Sequence, residues 1–282
     1  MKNILVTGSN GMLGTDLCSL LRKENYNVIP TVTKIMDITN YDSVLSFINQ
    51  IIKPDLIIHT AAYTNVDGAE SDSKKCFLVN DTGSYNITLI CKKFDIPMLY
   101  ISTDYVFDGK KTEPYTEYDE TNPLSIYGKS KCSGEKHVKK LDKYYIVRTS
   151  GLYGKHGKNF VHTMLNFAKQ RKKLKVVGDQ ITSPTWTVNL SEAIIKLIKT
   201  HQYGIYHITS SGSCSWYDFA CEIFRLKNID IKIEKITVSE YPLPAPRPLY
   251  SVLSHKALNY LGIYMLSWRE ALKNYLSTYQ DL

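Results

Sequence analysis

The sequence predicts an α/β fold in which helices cover both faces of a doubly wound, mostly parallel sheet. Short apolar runs of strand length alternate with longer stretches in which apolar residues recur every three or four positions. A glycine-rich turn separates the first predicted strand from the first predicted helix. The length of 282 residues suits one large domain with a smaller lobe beside it.

Strands that alternate with helices imply βαβ units and therefore a parallel sheet. The predicted strands are Ile4–Thr7, Asn27–Val32, Leu56–Thr60, Met98–Ser102, Tyr145–Arg148 and Lys175–Val177. The predicted helices are Leu13–Lys23, Ser43–Ile51, Lys75–Phe94 and Ser130–Lys140.

The alternation loosens from about Asn159, where proline and glycine begin to cluster. Four prolines lie within Tyr241–Pro248. We expect residues 1–158 to form the sheet domain and residues 159–282 to form a smaller, closely packed substrate-binding lobe. Residues 159–200 are expected to return partly to the sheet.

The composition is that of an ordinary globular protein, with 43% hydrophobic and 22% charged residues. The formal charge of +8 comes from small lysine groups spread along the chain, which favours solvated helix faces over nucleic-acid binding. A weak attraction for an anionic substrate is the alternative interpretation.

No apolar run approaches the roughly 20 residues that span a bilayer, and the start of the chain lacks a secretory pattern. The six cysteines show neither a C-x-x-C pair nor metal-ligand spacing. We therefore expect a cytoplasmic protein with reduced cysteines, no bound metal and no membrane partner.

The segment Thr7–Gly14 follows the first strand and contains glycines spaced G-x-x-G-x-x-G. Such glycines allow a tight turn and a close backbone approach to a pyrophosphate at a helix N-terminus. This context indicates the NAD(P)-binding Rossmann fold. The predicted cofactor contacts are Gly8, Asn10, Gly11, Met12, Leu13 and Gly14.

The second strand ends without the acidic residue that would bind the ribose hydroxyls of NAD. Lys34 lies where it could attract a 2′-phosphate, so NADPH is favoured over NADH, with both accepted. Asp37 is expected near the adenine. In the alternative interpretation, Thr39 or Asn40 caps the next helix and Asp37 plays no part.

Tyr127 and Lys131 form a Tyr-x-x-x-Lys pair, which places both side chains on one face of a helix. A neighbouring ammonium lowers the pKa of a tyrosine, and this makes the phenol a better proton donor and acceptor. Thr103 follows the fourth strand, at the sheet edge where ligands bind, and can hydrogen-bond a substrate carbonyl. Capping and turn formation also explain this Ser/Thr/Asp cluster.

These residues together resemble the dTDP-4-dehydrorhamnose reductase family over almost the whole chain. The segments that carry the resemblance are Thr7–Gly14, Ala61–Asp67, Val79-Asn80, Ser102–Gly109, Tyr127–Lys131, Arg148–Ser150, Asp179-Gln180, Ser183–Thr185, Arg247-Pro248, Ser251–Leu253 and Ser267–Leu272.

The resemblance implies that NAD(P)H reduces the C4 ketone of dTDP-4-dehydro-6-deoxy-L-mannose to dTDP-L-rhamnose. Tyr127 would protonate the nascent alkoxide, Lys131 would hold the nicotinamide ribose, and Thr103 would orient the carbonyl. Further cofactor contacts would be Ile38, Ala61, Ala62, Tyr63 and Asn80, and sugar contacts would be Thr64, Val66, Asp104 and Tyr105. Arg247 would clamp the diphosphate, unless it is a surface arginine of the proline-rich loop.

Two positions depart from the family. Gly151 stands where an aromatic side chain packs on the sugar, and we expect Tyr153 to fill that space. Gly151→Trp should then lower KM, provided that Gly151 does not have a positive φ. Thr182 also replaces a usual glycine.

Some family members dimerise through magnesium bound by glutamates. Asp16 and Glu192 stand near such places, but surface carboxylates are the favoured interpretation. A monomer or a homodimer is expected. Two other functions stay open, namely reduction or epimerisation of another nucleotide sugar, and a non-catalytic NADP-binding regulatory subunit similar to that of methionine adenosyltransferase.

Overall fold

The computed structural model describes residues 2–279 as an α/β protein. Its strands, in chain order, are β1 (Asn3–Thr7), β2 (Asn27–Thr31), β3 (Leu56–His59), β4 (Met98–Thr103), β5 (Tyr144–Thr149), β6 (Leu152–Tyr153), β7 (Lys173–Val177), β8 (Ile181–Thr182), β9 (Thr185–Trp186), β10 (Gly204–His207), β11 (Cys214–Ser215) and β12 (Lys232–Ile236).

The helices, in chain order, are α1 (Met12–Lys23), α2 (Tyr41–Gln50), α3 (Val66–Ser71), α4 (Ser73–Phe77), α5 (Gly83–Phe94), α6 (Ile126–Val138), α7 (Phe160–Gln170), α8 (Thr187–Thr200), α9 (Trp216–Leu226), α10 (Lys256–Tyr260) and α11 (Trp268–Thr278). A π-helical turn (Leu78–Thr82) joins α4 to α5, and 3₁₀ turns cover Asp104–Val106 and Val238–Glu240.

Six parallel strands form the central sheet in the order β10-β5-β4-β3-β1-β2. The chain runs from β1 outward to β2 and then crosses back, so that β3 lies on the other side of β1. This reversal opens a crevice at the carboxyl ends of β1 and β3, the usual ligand position in open α/β sheets. The predicted doubly wound fold is confirmed.

Helices cover both faces of this sheet because alternate residues of each strand point to opposite sides. On β1, Ile4 and Val6 belong to the core beneath α1 and α8. Leu5 belongs to the core beneath α2 and α5. The strands are therefore apolar on both faces, as buried parallel strands are.

The chain beyond residue 159 contributes to both parts of the molecule. The predicted strand Lys175–Val177 lies within β7, which pairs with β12 in a separate two-stranded sheet. The sixth strand of the central sheet is instead β10, and α8 packs against α1 on that sheet. The proposed boundary at residue 158 stays a prediction.

The remaining elements pack around a second, aromatic core between α7, α9 and α11. Phe219 lies near its centre, with ring centroids 5.5 Å from Tyr153 and 5.9 Å from Trp268. This lobe lies beside the carboxyl ends of the central strands, where its residue Trp216 faces the crevice. Across residues 2–279, each helix is too short or too polar to cross a membrane.

Two predicted helices differ from the observed ones. The stretch Lys75–Phe94 is interrupted by the π turn, which inserts extra backbone at Asn80. Helix α6 begins at Ile126, four residues before the predicted start, because Ser125 caps it with a side-chain hydrogen bond. The earlier start brings Tyr127 into the first turn of the helix.

Candidate active site

A cavity of about 670 Å³ opens at the carboxyl ends of β1, β3, β4 and β5. Its volume lies in the usual range for small-molecule sites. The predicted residues that line it are Gly8, Asn10, Gly11, Met12, Leu13, Gly14, Asp37, Ile38, Ala61, Ala62, Tyr63, Thr64, Val66, Thr103, Asp104, Tyr105, Tyr127 and Lys131. Lys34, Asn80 and Arg247 lie outside its lining.

The loop between β1 and α1 leaves room for a ligand because of its glycines. Gly8 has a φ of +65°, and a Cβ there would lie 2.7 Å from the backbone of Ala61. A Cβ on Gly14 would collide with the carbonyl oxygen of Gly8. Gly11 is the N-cap of α1 and has no capping side chain, so a bound anion can take that role. The cradle fits a dinucleotide pyrophosphate.

The loop after β2 forms the neighbouring wall of the cavity. Asp37 lines it, and its carboxylate accepts hydrogen bonds from the N–H and hydroxyl of Thr39 at 2.9 and 2.8 Å. Asn40 caps α2, as the alternative interpretation predicted. Lys34 is exposed and is not one of the lining residues.

Asn80 supports the cavity wall from behind. Its Oδ1 accepts the N–H of Tyr63 at 2.8 Å, while its Nδ2 donates to the Tyr63 carbonyl at 3.0 Å and to the Ser130 hydroxyl at 2.9 Å. Asn80 therefore supports Tyr63, which lines the cavity, and its own contact with the cofactor stays a prediction. A π turn at such a position is a common feature of functional sites.

Tyr127 and Lys131 lie one helical turn apart at the start of α6, and both line the cavity. Thr103, the last residue of β4, lies near the Tyr127 phenol and acts to lower its pKa. The Nζ of Lys131 lies 4.0 Å from the centroid of the Tyr100 ring. The three predicted catalytic residues are therefore brought together at one end of the sheet.

Burial has the largest effect on the pKa values of Tyr127 and Lys131. It raises the pKa of Tyr127 above the ordinary value, against the opposing effect of Thr103. It lowers the pKa of Lys131 to about 7, against the opposing effect of the nearby Glu135 carboxylate. The expected depression of the Tyr127 pKa by Lys131 is not seen in this structure, in which the net shift is upward.

A buried ion pair behind the catalytic residues fixes α6 on the sheet. Arg148 donates from Nε and Nη2 to the Glu135 carboxylate at 2.9 and 2.8 Å, and Ser102 donates to the same group at 2.6 Å. These bonds join α6 to β4 and β5, the strand that ends beside Thr103. The sequence indicated Arg148 only as part of a motif and gave no sign of its partner.

Asp104 forms a buried link between the sheet and the C-terminal segment. Its carboxylate accepts hydrogen bonds from Thr103, at 3.0 Å, and from the hydroxyl of Ser251. Burial raises its pKa to about 7 despite these bonds. Ser251 also lines the cavity and was missed as a wall residue by the sequence analysis.

Arg247 forms a two-point ion pair with Asp67 of α3 beside the cavity. Its guanidinium also donates to the Ala245 carbonyl at 3.0 Å. The pKa of Asp67 is lowered chiefly by the Arg247 hydrogen bond. The structure thus places Arg247 in an ion pair that joins the proline-rich segment to α3, directly behind the lining residues Tyr105 and Pro248.

Gly151 lies beside an aromatic residue that the sequence analysis missed. Gly151 has a φ of +54°, and a Cβ there would lie 3.3 Å from Cη2 of Trp216 and 3.1 Å from Cα of Pro184. Trp216 lines the cavity, whereas Tyr153 is fully buried in the lobe core. The expectation that Tyr153 fills the space at Gly151 was wrong.

Lys158 is a second cation on the cavity wall, in addition to Lys131. It follows Gly157, whose nearest neighbours include the Met12 side chain at the start of α1. Its position in a loop of no regular pattern gave no signal in the sequence.

The carboxylates weighed as magnesium ligands have protein partners. Asp16 accepts a hydrogen bond from Thr187, and Glu192 accepts one from Asn189 at 3.3 Å. Among residues 2–279, no three His, Cys, Asp or Glu side chains are grouped closely enough to hold a metal ion.

The glycine cradle, the switch-point cavity and the Thr-Tyr-Lys set define an NAD(P)-binding reductase of the extended short-chain dehydrogenase type. The chain belongs to the family described as "RmlD substrate binding domain", whose sequence pattern matches residues 1–281.

Three similar proteins cover nearly the same length. The spore coat polysaccharide biosynthesis protein SpsK of Bacillus subtilis is 45% identical over 98% of this chain and 97% of its own. The dTDP-4-dehydrorhamnose reductase of Clostridium acetobutylicum has a TM-score of 0.96 at 46% identity and covers 99% of both chains. That of Bacillus anthracis, solved in complex with NADP, has a TM-score of 0.96 at 42% identity over 99% of this chain and 100% of its own.

Proposed function

We propose that this chain reduces the C4 ketone of dTDP-4-dehydro-6-deoxy-L-mannose with NAD(P)H and releases dTDP-L-rhamnose. The observation that carries the proposal is the convergence of Thr103, Tyr127 and Lys131 at the glycine cradle, within one cavity. The reductases of C. acetobutylicum and B. anthracis, which match this chain end to end, support it.

When bound in the glycine cradle, NAD(P)H would supply a hydride to the carbonyl carbon. Thr103 holds the carbonyl oxygen next to the Tyr127 hydroxyl, since both residues line the same part of the cavity. Tyr127 donates its proton to that oxygen as negative charge develops there. Lys131 carries its positive charge below about pH 7, and in that state it stabilises the phenolate that remains.

Burial of Tyr127 explains why the proton stays on the phenol before the reaction and moves only to the alkoxide. A Tyr127 whose pKa is raised holds its proton until an alkoxide, a much stronger base, appears beside it. The Glu135–Arg148 pair positions α6 so that the donor does not drift from Thr103. Positioning of this kind contributes to catalysis because the reacting atoms start close to the required geometry.

The substrate is assigned to the side of the cavity formed by Thr64, Val66, Asp104 and Tyr105. Lys158 follows Gly157 beside Met12 at the start of α1, so we assign it to the cofactor pyrophosphate. Arg247, which lies next to Tyr105, is assigned to the diphosphate of the sugar nucleotide and would loosen its ion pair with Asp67 to clamp it fully. For the cofactor, NADPH is preferred over NADH if the exposed Lys34 folds back onto the 2′-phosphate.

The same proposal extends to the domain bounds, the location and the oligomeric state. We assign the cofactor domain to residues 1–158 and the substrate lobe to residues 159–282, with α8 and β10 returning to the sheet. The protein acts in the cytoplasm as a monomer or homodimer, binds no nucleic acid and needs no magnesium.

The deciding experiment mixes the purified chain, NADPH and enzymatically made dTDP-4-dehydro-6-deoxy-L-mannose. We expect loss of NADPH absorbance with one dTDP-L-rhamnose formed per NADPH consumed. Tight NADPH binding without turnover of any 4-keto sugar nucleotide would favour the regulatory-subunit alternative. Turnover of a different 4-keto sugar in preference would favour the alternative substrate, which the unusual wall at Gly151 keeps open.

A further inference from the structure

Trp216 occupies the space beside Gly151 and lines the same cavity as Thr103 and Tyr127. Thr149 pairs with Thr103 across β5 and β4, and Gly151 follows Thr149 by two residues. The tip of the Trp216 ring lies 3.3 Å from the position of a Gly151 Cβ. The edge of an aromatic ring from the lobe therefore lines the cavity next to β5, the strand that pairs with β4.

Several contacts hold this indole in place. Trp216 is the first residue of α9, and Ser215 caps that helix in a reciprocal capping box with Asp218. The Phe160 ring lies against the indole, with centroids 4.7 Å apart. The preceding strand β11 pairs with β8, whose residues Ile181 and Thr182 also line the cavity.

We infer that Trp216 is the specificity-determining aromatic residue of this site and packs against the sugar ring of the nucleotide sugar. This inference rests on the proposed function. The sugar side is assigned because Thr182 contacts Ser251, and Ser251 donates to Asp104 on the substrate wall. Gly151 is required in this arrangement, since a side chain there would compete with the indole for the same space.

Tryptophan fluorescence tests the contact directly, because the chain has three tryptophans: Trp186, Trp216 and Trp268. In a W186F/W268F variant, emission comes from Trp216 alone. We expect dTDP-L-rhamnose to change this emission more than dTDP does, since only the former carries the sugar. In W216F the change should be lost, while equilibrium dialysis still shows the ligand bound.

Kinetics supply a second measurement, which does not depend on the double variant folding. W216L should raise KM for the 4-keto sugar nucleotide about tenfold, with KM for NADPH unchanged. W216F keeps an aromatic ring, so its KM for the sugar nucleotide should rise less. W268F is the matched control, because Trp268 is buried in the lobe core and lies outside the cavity lining. Its KM values should stay at the wild-type level.

Three results would overturn the inference. The first is bound dTDP-L-rhamnose with unchanged Trp216 emission, and the second is an equal response to dTDP alone, which would place the indole on the base. The third is a W216L variant whose KM rises for NADPH instead. A wild-type chain that binds no dTDP-sugar in dialysis would refute the proposed function itself, and that failure is distinguishable from the other three.

Discussion

Both carboxylate oxygens of Asp67 accept hydrogen bonds from the guanidinium of Arg247, at 3.0 and 2.8 Å. The same Asp67 accepts the N–H of Ala245 at 3.2 Å, so one side chain anchors the proline-rich segment beside the cavity. Two N–H groups of this guanidinium lie outside these bonds and its bond to the Ala245 carbonyl, but it can turn fully towards a phosphate only if it exchanges partners.

Asp67→Asn tests whether that exchange happens during binding. Asparagine keeps an oxygen for the Ala245 N–H but lacks the charge, so Arg247 leaves more easily. If Arg247 clamps the diphosphate, KM for the sugar nucleotide should fall about two- to fivefold, a change of roughly 0.4–1 kcal/mol. Initial-rate kinetics at saturating NADPH measure it.

The matched control is Asp95→Asn, because Asp95 forms an exposed pair with Lys143 far from the cavity. Its KM should be unchanged. An Asp67→Asn enzyme with an unchanged or higher KM would assign Arg247 a purely structural role.

Tyr127→Phe removes the proposed proton donor and leaves the ring in place. We expect kcat to fall by roughly 10²–10⁴-fold, as for the loss of a positioned general acid. The NADPH dissociation constant, measured by fluorescence titration, should change little. Tyr85→Phe, on the exposed side of α5, is the control. Retention of more than half of kcat would end the assignment of Tyr127.

Lys131→Met should reduce both kcat and NADPH affinity, because one ammonium serves the tyrosine and the ribose. A fall in kcat with an unchanged NADPH dissociation constant would remove the ribose contact. The same variant should unfold at a higher temperature than the wild type near neutral pH, since burial penalises the charged lysine.

The stability advantage of Lys131→Met over the wild type should decrease as pH rises. Burial lowers the pKa of Lys131 from 10.5 to about 7, so between these values the unfolded chain binds more protons than the folded one. The wild type therefore gains stability from Lys131 as pH rises from about 7 to 10.5, and the mutant lacks this gain. Thermal unfolding across that range should show the two melting temperatures converging at the alkaline end.

Asp104→Asn should remove a pH-dependent contribution to the free energy of unfolding. Burial raises the pKa of Asp104 to about 7, so the folded chain holds a proton that the unfolded chain releases from about pH 3.8 upward. The wild type thus loses stability as pH rises towards 7, and the variant should not. Urea unfolding at several pH values tests this, and parallel curves for the two proteins would contradict it.

Local patterns in the sequence predicted the cradle and the catalytic pair. Gly8, Gly11 and Gly14 lie within seven consecutive residues at the junction of β1 and α1. Tyr127 and Lys131 lie on one face of a helix. Spacing along the chain is therefore enough to bring the members of each set together. Spacing carries no such information for Arg148 and Glu135, which meet across a strand and a helix. An apolar run likewise identifies a strand without its partner, which is why Lys175–Val177 was assigned with the central strands although it pairs with β12.

Trp216 shows the same limit at the substrate wall. Tyr153 is the first aromatic residue after Gly151 along the chain, which is why it was predicted to fill the space there. The aromatic neighbour of Gly151 in three dimensions is Trp216, which lies far along the chain. The backbone at Gly151 also has a positive φ, so the condition for a helpful Gly151→Trp substitution is not met, and we expect that variant to lose stability and sugar affinity.

The sharpest test at this position uses Gly151→Ala beside Gly262→Ala. The two glycines have φ values of +54° and +71°, but a Cβ on Gly262 would have no neighbour within 4 Å. Alanine at Gly262 should therefore cost only the backbone strain, about 1–2 kcal/mol in the free energy of unfolding. Alanine at Gly151 should cost more, because its Cβ crowds Pro184 and Trp216, and it should also raise KM for the sugar nucleotide.

Combining Gly151→Ala with Trp216→Leu separates crowding from strain. If the indole is the neighbour that matters, the double variant should lose less stability than the sum of the single variants, with a coupling of roughly 0.5–3 kcal/mol. Its KM should equal that of Trp216→Leu alone, since the added methyl no longer displaces an aromatic ring. Urea unfolding gives the coupling, and initial rates give KM. Additive losses with no coupling would mean that Gly151 is needed for its backbone conformation and not to make room for Trp216.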